Sequence, residues 1–264
     1  MQFGYDYHIH THHLKCADAT MQVADILRRA EALGLTSIAI TDHLNRPEQL
    51  VLHERIRTEL EALRPAIEVY FGVELTFFNT TGKFPYSAEA RDALGFEVTL
   101  GGVHSTYVAT DDRATIIALQ HAHHLLTCND PLVDVLVHPW WFASGEFQQK
   151  RLRWFEDMAD IPEALHRELA RTARATGTAI ELNAMAIFLN PRYSDRFKDD
   201  YRRYVRLLAE EGVRFALASD AHSLSDLGRT SVVEDLLADL GISEAQLWRP
   251  ARPPGVTGRA TRPA

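Results

Sequence analysis

Cysteine is scarce. Only Cys16 and Cys128 occur in 264 residues, so no disulfide framework is expected and a reducing, cytoplasmic setting is. Long apolar runs are missing too. Nothing approaches the ~20 residues that span a bilayer, so no membrane partner is expected. Positive charge is not in excess: 28 Lys and Arg against 36 Asp and Glu give a net charge of −8. That balance argues against nucleic-acid partners larger than nucleotides or short oligonucleotides. The N-terminus has no basic region followed by an apolar one and enters a strand pattern at once, so no secretory leader is expected. No fixed-period repeat and no interior linker divides the chain. At 46% hydrophobic residues it can bury a full core without staples.

What is present is an alternation. Strand-like segments fall at Tyr5–His10, Thr36–Asp42, Ile67–Glu74, Val98–His104, Val133–His138, Thr178–Asn183 and Arg214–Asp220. Helical spacing is seen at Thr20–Leu33, Glu48–Leu63, Asp111–Leu126, Pro162–Thr176, Asp199–Glu211 and Ser231–Leu240. Residues 75–95 read as a long loop. From Arg249 the composition turns to Arg, Pro, Gly, Ala and Thr, so 1–248 is expected to form one domain and 249–264 a disordered tail.

Successive βα units predict an α/β fold with a parallel sheet, either a barrel or an open sheet. Polar residues decide between them. His8 and His10, His43, Glu74, His104, His138, and Asp220 with His222 all sit at strand ends. A closed barrel gathers such ends at one mouth, whereas an open sheet leaves its edges far apart. A TIM-like barrel is therefore expected.

The first strand shows the chemistry. Side chains alternate along a strand, so Asp6, His8 and His10 share one face. Two imidazoles on a rigid strand make a pair of metal ligands. Imidazole with carboxylate suits Zn, Mn or Fe better than Ca or Mg alone. The eight candidates exceed what one ion takes, so two or three divalent ions are expected, with Glu74 as a bridge. Such ions lower the pKa of water and clamp phosphoryl oxygens, which points to hydrolysis of phosphate esters by a metal-activated hydroxide.

Six motifs in order carry a resemblance. Asp-x-His-x-His-Thr at 6–11, Thr-Asp-His at 41–43, Gly-Val-Glu at 72–74, Gly-Val-His at 102–104, Val-His-Pro at 137–139 and Ser-Asp-Ala-His at 219–222 resemble the PHP (polymerase and histidinol phosphatase) family. The resemblance implies a distorted (β/α)7 barrel, a trinuclear metal centre and phosphoesterase activity on a small phosphate ester, histidinol phosphate included. It implies His8, His10, Glu74 and Asp220 at the first metal, where they act as the catalytic ligands. It places His43 and His222 at the second metal, and His104 and His138 with Glu74 at the third. Many members have a further histidine shortly after the first motif. Here Asp18 is the expected replacement, with Cys16, His12 and His13 as alternatives.

Phosphate usually meets a cation as well; Arg192, then Arg46 and Arg229, are the expected substrate-binding residues. Asp42, Glu181 and Asn183 are expected to orient ligands. His12 and His13, if they are not ligands, stand near enough to the mouth to touch substrate. Trp140, Trp141 and Phe142 suit either the pocket wall or the core. His53, His121, His123, His124 and His166 read as ordinary helix histidines. Two rival functions remain: an amidohydrolase-type hydrolase, whose bridging strand lysine is missing here, and a non-catalytic metal-binding accessory domain.

Overall fold

The computed structural model describes residues 3–77, 83–105, 110 and 112–251. The order is β1 (Tyr5–Ile9), α1 (Val23–Ala32), β2 (Ser37–Ile40), β3 (His43–Leu44), α2 (Leu50–Ala62), β4 (Glu68–Thr76), α3 (Ala88–Leu94) and β5 (Val98–Gly102). Then come α4 (Arg113–Asn129), β6 (Val135–Leu136), α5 (Ser144–Gln149), α6 (Glu163–Thr176), β7 (Ala179–Asn183), α7 (Asp195–Glu210), β8 (Phe215–Ala218) and α8 (Ser231–Leu240). Every pairing is parallel, in the order β1-β2-β4-β5-β6-β7-β8, with β3 beside β4. β2 and β3 are one strand interrupted at Thr41 and Asp42. There the Thr41 N–H turns to Ile9 O (2.9 Å) and Asp42 O accepts the Glu74 N–H (3.0 Å). Seven strand positions result, and they form a nearly closed α/β barrel of the expected kind.

The barrel has a seam. At the C-terminal ends of β1 and β8, the His10 N–H donates to Ala221 O (3.1 Å) and the Ala221 N–H to His8 O (3.3 Å). The buried Asp6 carboxylate stitches the same seam by accepting the Ser219 N–H (2.9 Å) and the Gly228 N–H (3.1 Å). At the start of β8, the chain after α8 fills the edge instead. The Trp248 N–H donates to Phe215 O at 2.7 Å, and the Trp248 ring stands edge-on to Tyr7 at 5.7 Å. Arg249, the first residue of the expected tail, lays its guanidinium 4.4 Å over the Tyr5 ring.

The helices follow from their sequences. In α1, Val23, Ile26, Leu27 and Ala30 form the buried stripe, and Gly34 with φ +72° follows its end. In α4, Asp112 caps by accepting from Ala114 N and Thr115 N. α7 begins one turn earlier than the apolar spacing predicts, because Ser194 caps the Phe197 N–H (3.1 Å). α3 lies inside the segment expected to be loop; its Ser87 cap and Gly95 stop are both legible in the sequence. β6 is shorter than expected. His138 turns out of the ladder with φ 30°, Trp140 follows at φ 62°, and the His138 N–H goes to Glu181 Oε2 (2.7 Å). Residues 78–82 of the expected loop, Asp111 at the expected helix start and 252–264 of the expected tail lie outside the described residues. Among the described residues, no helix is long and apolar enough to cross a membrane.

The approach of β4 to its neighbours fixes the height of Glu74. A Cβ on Gly72 would lie 2.7 Å from Val98 O and 2.8 Å from Thr41 Cγ2. Gly72→Ala is therefore expected to destabilise the fold by ~1–3 kcal/mol through overpacking. Gly145→Ala, where a Cβ meets nothing within 4 Å, is expected to leave stability unchanged. Urea denaturation of the two variants checks this; equal midpoints would show that the β4 contact tolerates a methyl group.

Candidate metal centre

Glu74, two residues before the end of β4, is fully buried at the middle of five imidazoles. Its Oε2 lies 2.7 Å from His43 Nδ1, 3.3 Å from His8 Nε2 and 3.5 Å from His10 Nε2. Its Oε1 lies 3.1 Å from His104 Nε2 and 3.2 Å from His138 Nε2. Each carboxylate oxygen thus serves a different group of histidines. Asp220, in left-handed backbone at φ 59°, reaches His10 Nε2 at 3.2 Å and His8 Nε2 at 3.5 Å. His222 stacks on His10 with ring centroids 4.2 Å apart. All eight strand-end candidates therefore converge on one place. A cavity of about 360 Å³ opens over them, lined by His43, Glu74, His104, His138, Trp141, Met185, Ala186, Asp220, His222 and Asp226.

Charge and burial work against each other here. Burial alone would raise the Glu74 carboxyl, yet His43, His104 and His8 hold it well below the ordinary glutamate range. Asp220 is likewise pulled down, against its burial, by His8, His10 and His222. Burial would lower His8, but the carboxylates of Asp220, Glu181 and Glu74 lift it well above the usual imidazole value. Burial wins at His10, pushed down to about 3, and at His104, pushed down to about 4.

The donor set fits cations. His10 Nδ1 and His138 Nδ1 are buried with no hydrogen bond. Buried polar atoms are seldom left so. Three sets bring one ligand atom per residue within 4.8 Å of one another: His8, His10 and Asp220; His43, Glu74 and His104; and His10, Cys16, His43 and His222. Imidazole, carboxylate and one thiol form a ligand chemistry for divalent transition ions.

Around these residues the polar groups are tied. Glu181 Oε1 accepts a hydrogen bond from His8 Nδ1–H at 2.6 Å, which leaves Nε2 facing Glu74 and Asp220. Asn183 donates to Glu181 Oε2 (2.9 Å) and to Asp220 Oδ2 (3.1 Å). Asp42 does not hold an imidazole as expected. It accepts the Thr11 N–H (3.1 Å) and hydroxyl (3.0 Å), joining the ends of two strands. That burial lifts Asp42 to about 7, against the Thr11 hydrogen bonds.

Several expectations change. Asp18 is exposed, and its carboxylate accepts the Thr20 N–H (2.8 Å) and the Thr20 hydroxyl, so it turns away from the imidazoles. Cys16 holds the place instead. His12 donates to Met21 O (3.3 Å) and His13 pairs with Glu59 (2.9 Å), so neither is engaged at the centre. Arg46, Arg192 and Arg229 do not line the cavity. Arg192 lies on a separate pocket with Phe147 and Trp154, Arg46 sits exposed ahead of a 3-10 turn, and Arg229 leans toward Asp226 at 3.5 Å. Of the three aromatics after β6, Trp141 alone lines the cavity; Trp140 is buried against His124 and His166, and Phe142 stacks on Phe155. His53 does more than the sequence reading allows, since its Nε2–H donates to His43 O (3.1 Å). No local signal marks a contact ten residues away across a turn and a helix.

Comparison with known proteins meets the same residues. The PHP domain family model matches residues 6–185. The chain belongs to the PHP domain family. A probable phosphatase of Acetivibrio thermocellus is 24% identical over 244 residues, 91% of this chain and 88% of that protein. A probable phosphatase of Proteus mirabilis is 22% identical over 250 residues, 92% and 89% of the two chains. A solved Listeria monocytogenes protein, provisionally assigned as a histidinol phosphatase, superposes with TM-score 0.56 at 16% identity, covering 87% of this chain and 99% of that one. A chain of an archaeal ribonuclease P complex superposes at 0.52 with 15% identity, covering 89% and 82%. The last two show a shared fold alone.

The sign of each shift sets a pH window for the metal-free protein. His8, raised above 6.5, contributes stability that is present below that value and lost as pH rises through its folded pKa. Glu74, lowered below 4.5, contributes stability present above that value and lost as pH falls through its folded pKa. The two support the fold together between pH 4.5 and 6.5. Glu181→Gln removes one of the charges that raise His8, so His8 is expected to titrate lower and the window to shrink from its alkaline side. Imidazole NMR titration and urea denaturation of chelated protein check this; an unmoved His8 titration would remove Glu181 as a cause.

Proposed function

We propose that this PHP chain is a metal-dependent phosphoesterase acting on a small soluble phosphate ester, with histidinol phosphate among the candidates. One observation carries the proposal: Glu74 turns one oxygen toward His8, His10 and His43 and the other toward His104 and His138. That arrangement suits a bridging carboxylate. The named phosphatase relatives, matched over most of their length, agree with it.

In this reading His8, His10, Glu74 and Asp220 hold the first ion, His43 and His222 the second, and His104, His138 and Glu74 the third. Ions of the Zn, Mn or Fe type would supply Lewis acidity toward a phosphoryl oxygen and a lowered pKa for a bound water. The protein supplies placement. Glu181 and Asn183 hold His8 and Asp220 in orientation, and Trp141 gives the cavity an apolar wall. With no arginine of the expected three on the cavity, the anion's charge falls to the ions. A cavity of about 360 Å³ has room for a small ester.

The rival readings lack support at named residues. None of Lys15, Lys83, Lys150 and Lys198 lies on a strand, so the lysine bridge of an amidohydrolase-type site has no source. A decayed accessory domain would be expected to lose ligands, and here all eight strand-end candidates converge.

Phosphate release from a generic aryl phosphate is expected to stop on chelation and return with added Zn, Mn or Fe. Glu74→Gln is expected to lower the rate by ~10²–10³-fold, the scale of losing one electrostatic contributor to a transition state. Full activity in Glu74→Gln, or activity indifferent to chelation, would refute the proposal.

A further inference from the structure

The loop after β1 carries the least expected member of the centre. A 3-10 turn at His12–Leu14 ends on Lys15 in left-handed backbone (φ 61°), which sends the chain back over the barrel mouth. The Asp18 N–H then donates to His222 O at 2.9 Å, so this loop is fastened to the loop that brings His222. Between the two ties sits Cys16. Its Sγ and one nitrogen each of His10, His43 and His222 lie within 4.8 Å of one another. Ligand atoms about 2.0–2.3 Å from one ion stand roughly 3.3–3.8 Å apart at tetrahedral angles, so small side-chain rotations complete the set. Two further facts point to a ligand here. His10 Nδ1 is buried without a hydrogen bond, and the other candidate, Asp18, is committed to Thr20.

We propose that Cys16 is the thiolate ligand of the second ion, which makes that site a mixed nitrogen–sulfur site of Cys16, His43 and His222, beside His10, whose Nε2 faces the carboxylates of the first. The inference rests on the metal-centre reading above and adds to it a distinct character for one ion. Binding releases the thiol proton to solvent as the sulfur–metal bond forms, with no change in oxidation state. A soft thiolate favours Zn(II) or Fe(II) over Mn(II), whereas the oxygen and nitrogen donors elsewhere in the centre do not discriminate so. Cys16 is exposed while Cys128 is buried, so Cys16 is also the thiol that reagents reach first.

The test uses the full chain, stripped by chelation and reloaded with Co(II). Wild type is expected to show visible d–d bands together with a near-ultraviolet thiolate-to-cobalt charge-transfer band. Cys16→Ser is expected to keep d–d bands from the remaining sites, to lose the charge-transfer band, and to bind its weakest Co(II) about 10–100-fold less tightly. Cys16→His is expected to restore the affinity without the band. A disulfide reagent is expected to modify one thiol rapidly in stripped wild type and slowly after Zn(II) is added. Cobalt bound with d–d bands but no charge transfer in wild type would overturn the Cys16 assignment and leave the metal centre standing. Failure of wild type to bind any divalent ion would overturn both.

Discussion

A carboxylate taken out of water must be met by positive charge or by donors, and this barrel is arranged to meet one of them. Glu74 is fully buried, and the groups around it come from β1, the β2–β3 strand, and the chain just past β5 and β6. An isolated ionised carboxylate in such a place would be strongly unfavourable. Five imidazoles make it tolerable, and their geometry leaves His10 Nδ1 and His138 Nδ1 without a hydrogen-bond partner. The fold thus holds in place a set of donor atoms whose chemistry suits cations.

That demand explains local departures from regular structure. β2 breaks at Thr41–Asp42 so that His43 can swing onto Glu74, and Asp42 holds Thr11 behind it. β6 is cut to two residues because His138 leaves the ladder in a left-handed conformation and gives its N–H to Glu181. Asp220 adopts the same region of backbone space. Non-glycine residues in left-handed backbone are uncommon and concentrate at functional sites. Here two of them, His138 and Asp220, bear candidate ligands.

The fold and most of the centre were legible in the sequence for a simple reason. Parallel strands covered on both faces are short, apolar and continuous, and each run ended on a group that has no business in a core. His104 and His222 could be placed at the mouth without knowing any contact. What stayed hidden depended on where loops turn. Asp18 and Cys16 are two residues apart, and only the left-handed turn at Lys15 and the Thr20 hydroxyl decide which one faces inward. The three arginines stand near strand ends in the sequence, yet loop conformation carries Arg192 to a pocket of its own. His53 reached the centre through a backbone carbonyl, a contact that no spacing announces.

The seam between β1 and β8 has one more consequence. His8 lies on β1 and His10 just past it, and Asp220 and His222 follow β8, yet the His10 and Asp220 side chains meet at 3.2 Å. A ribosome must release more than two hundred residues between them, a separation of 210 positions. Until β8 docks beside β1, the set proposed for the first ion, His8, His10, Glu74 and Asp220, lacks Asp220. Ion capture at that set would therefore report the joining of β8 to β1, and a prematurely shortened chain would carry histidines with nothing to close around.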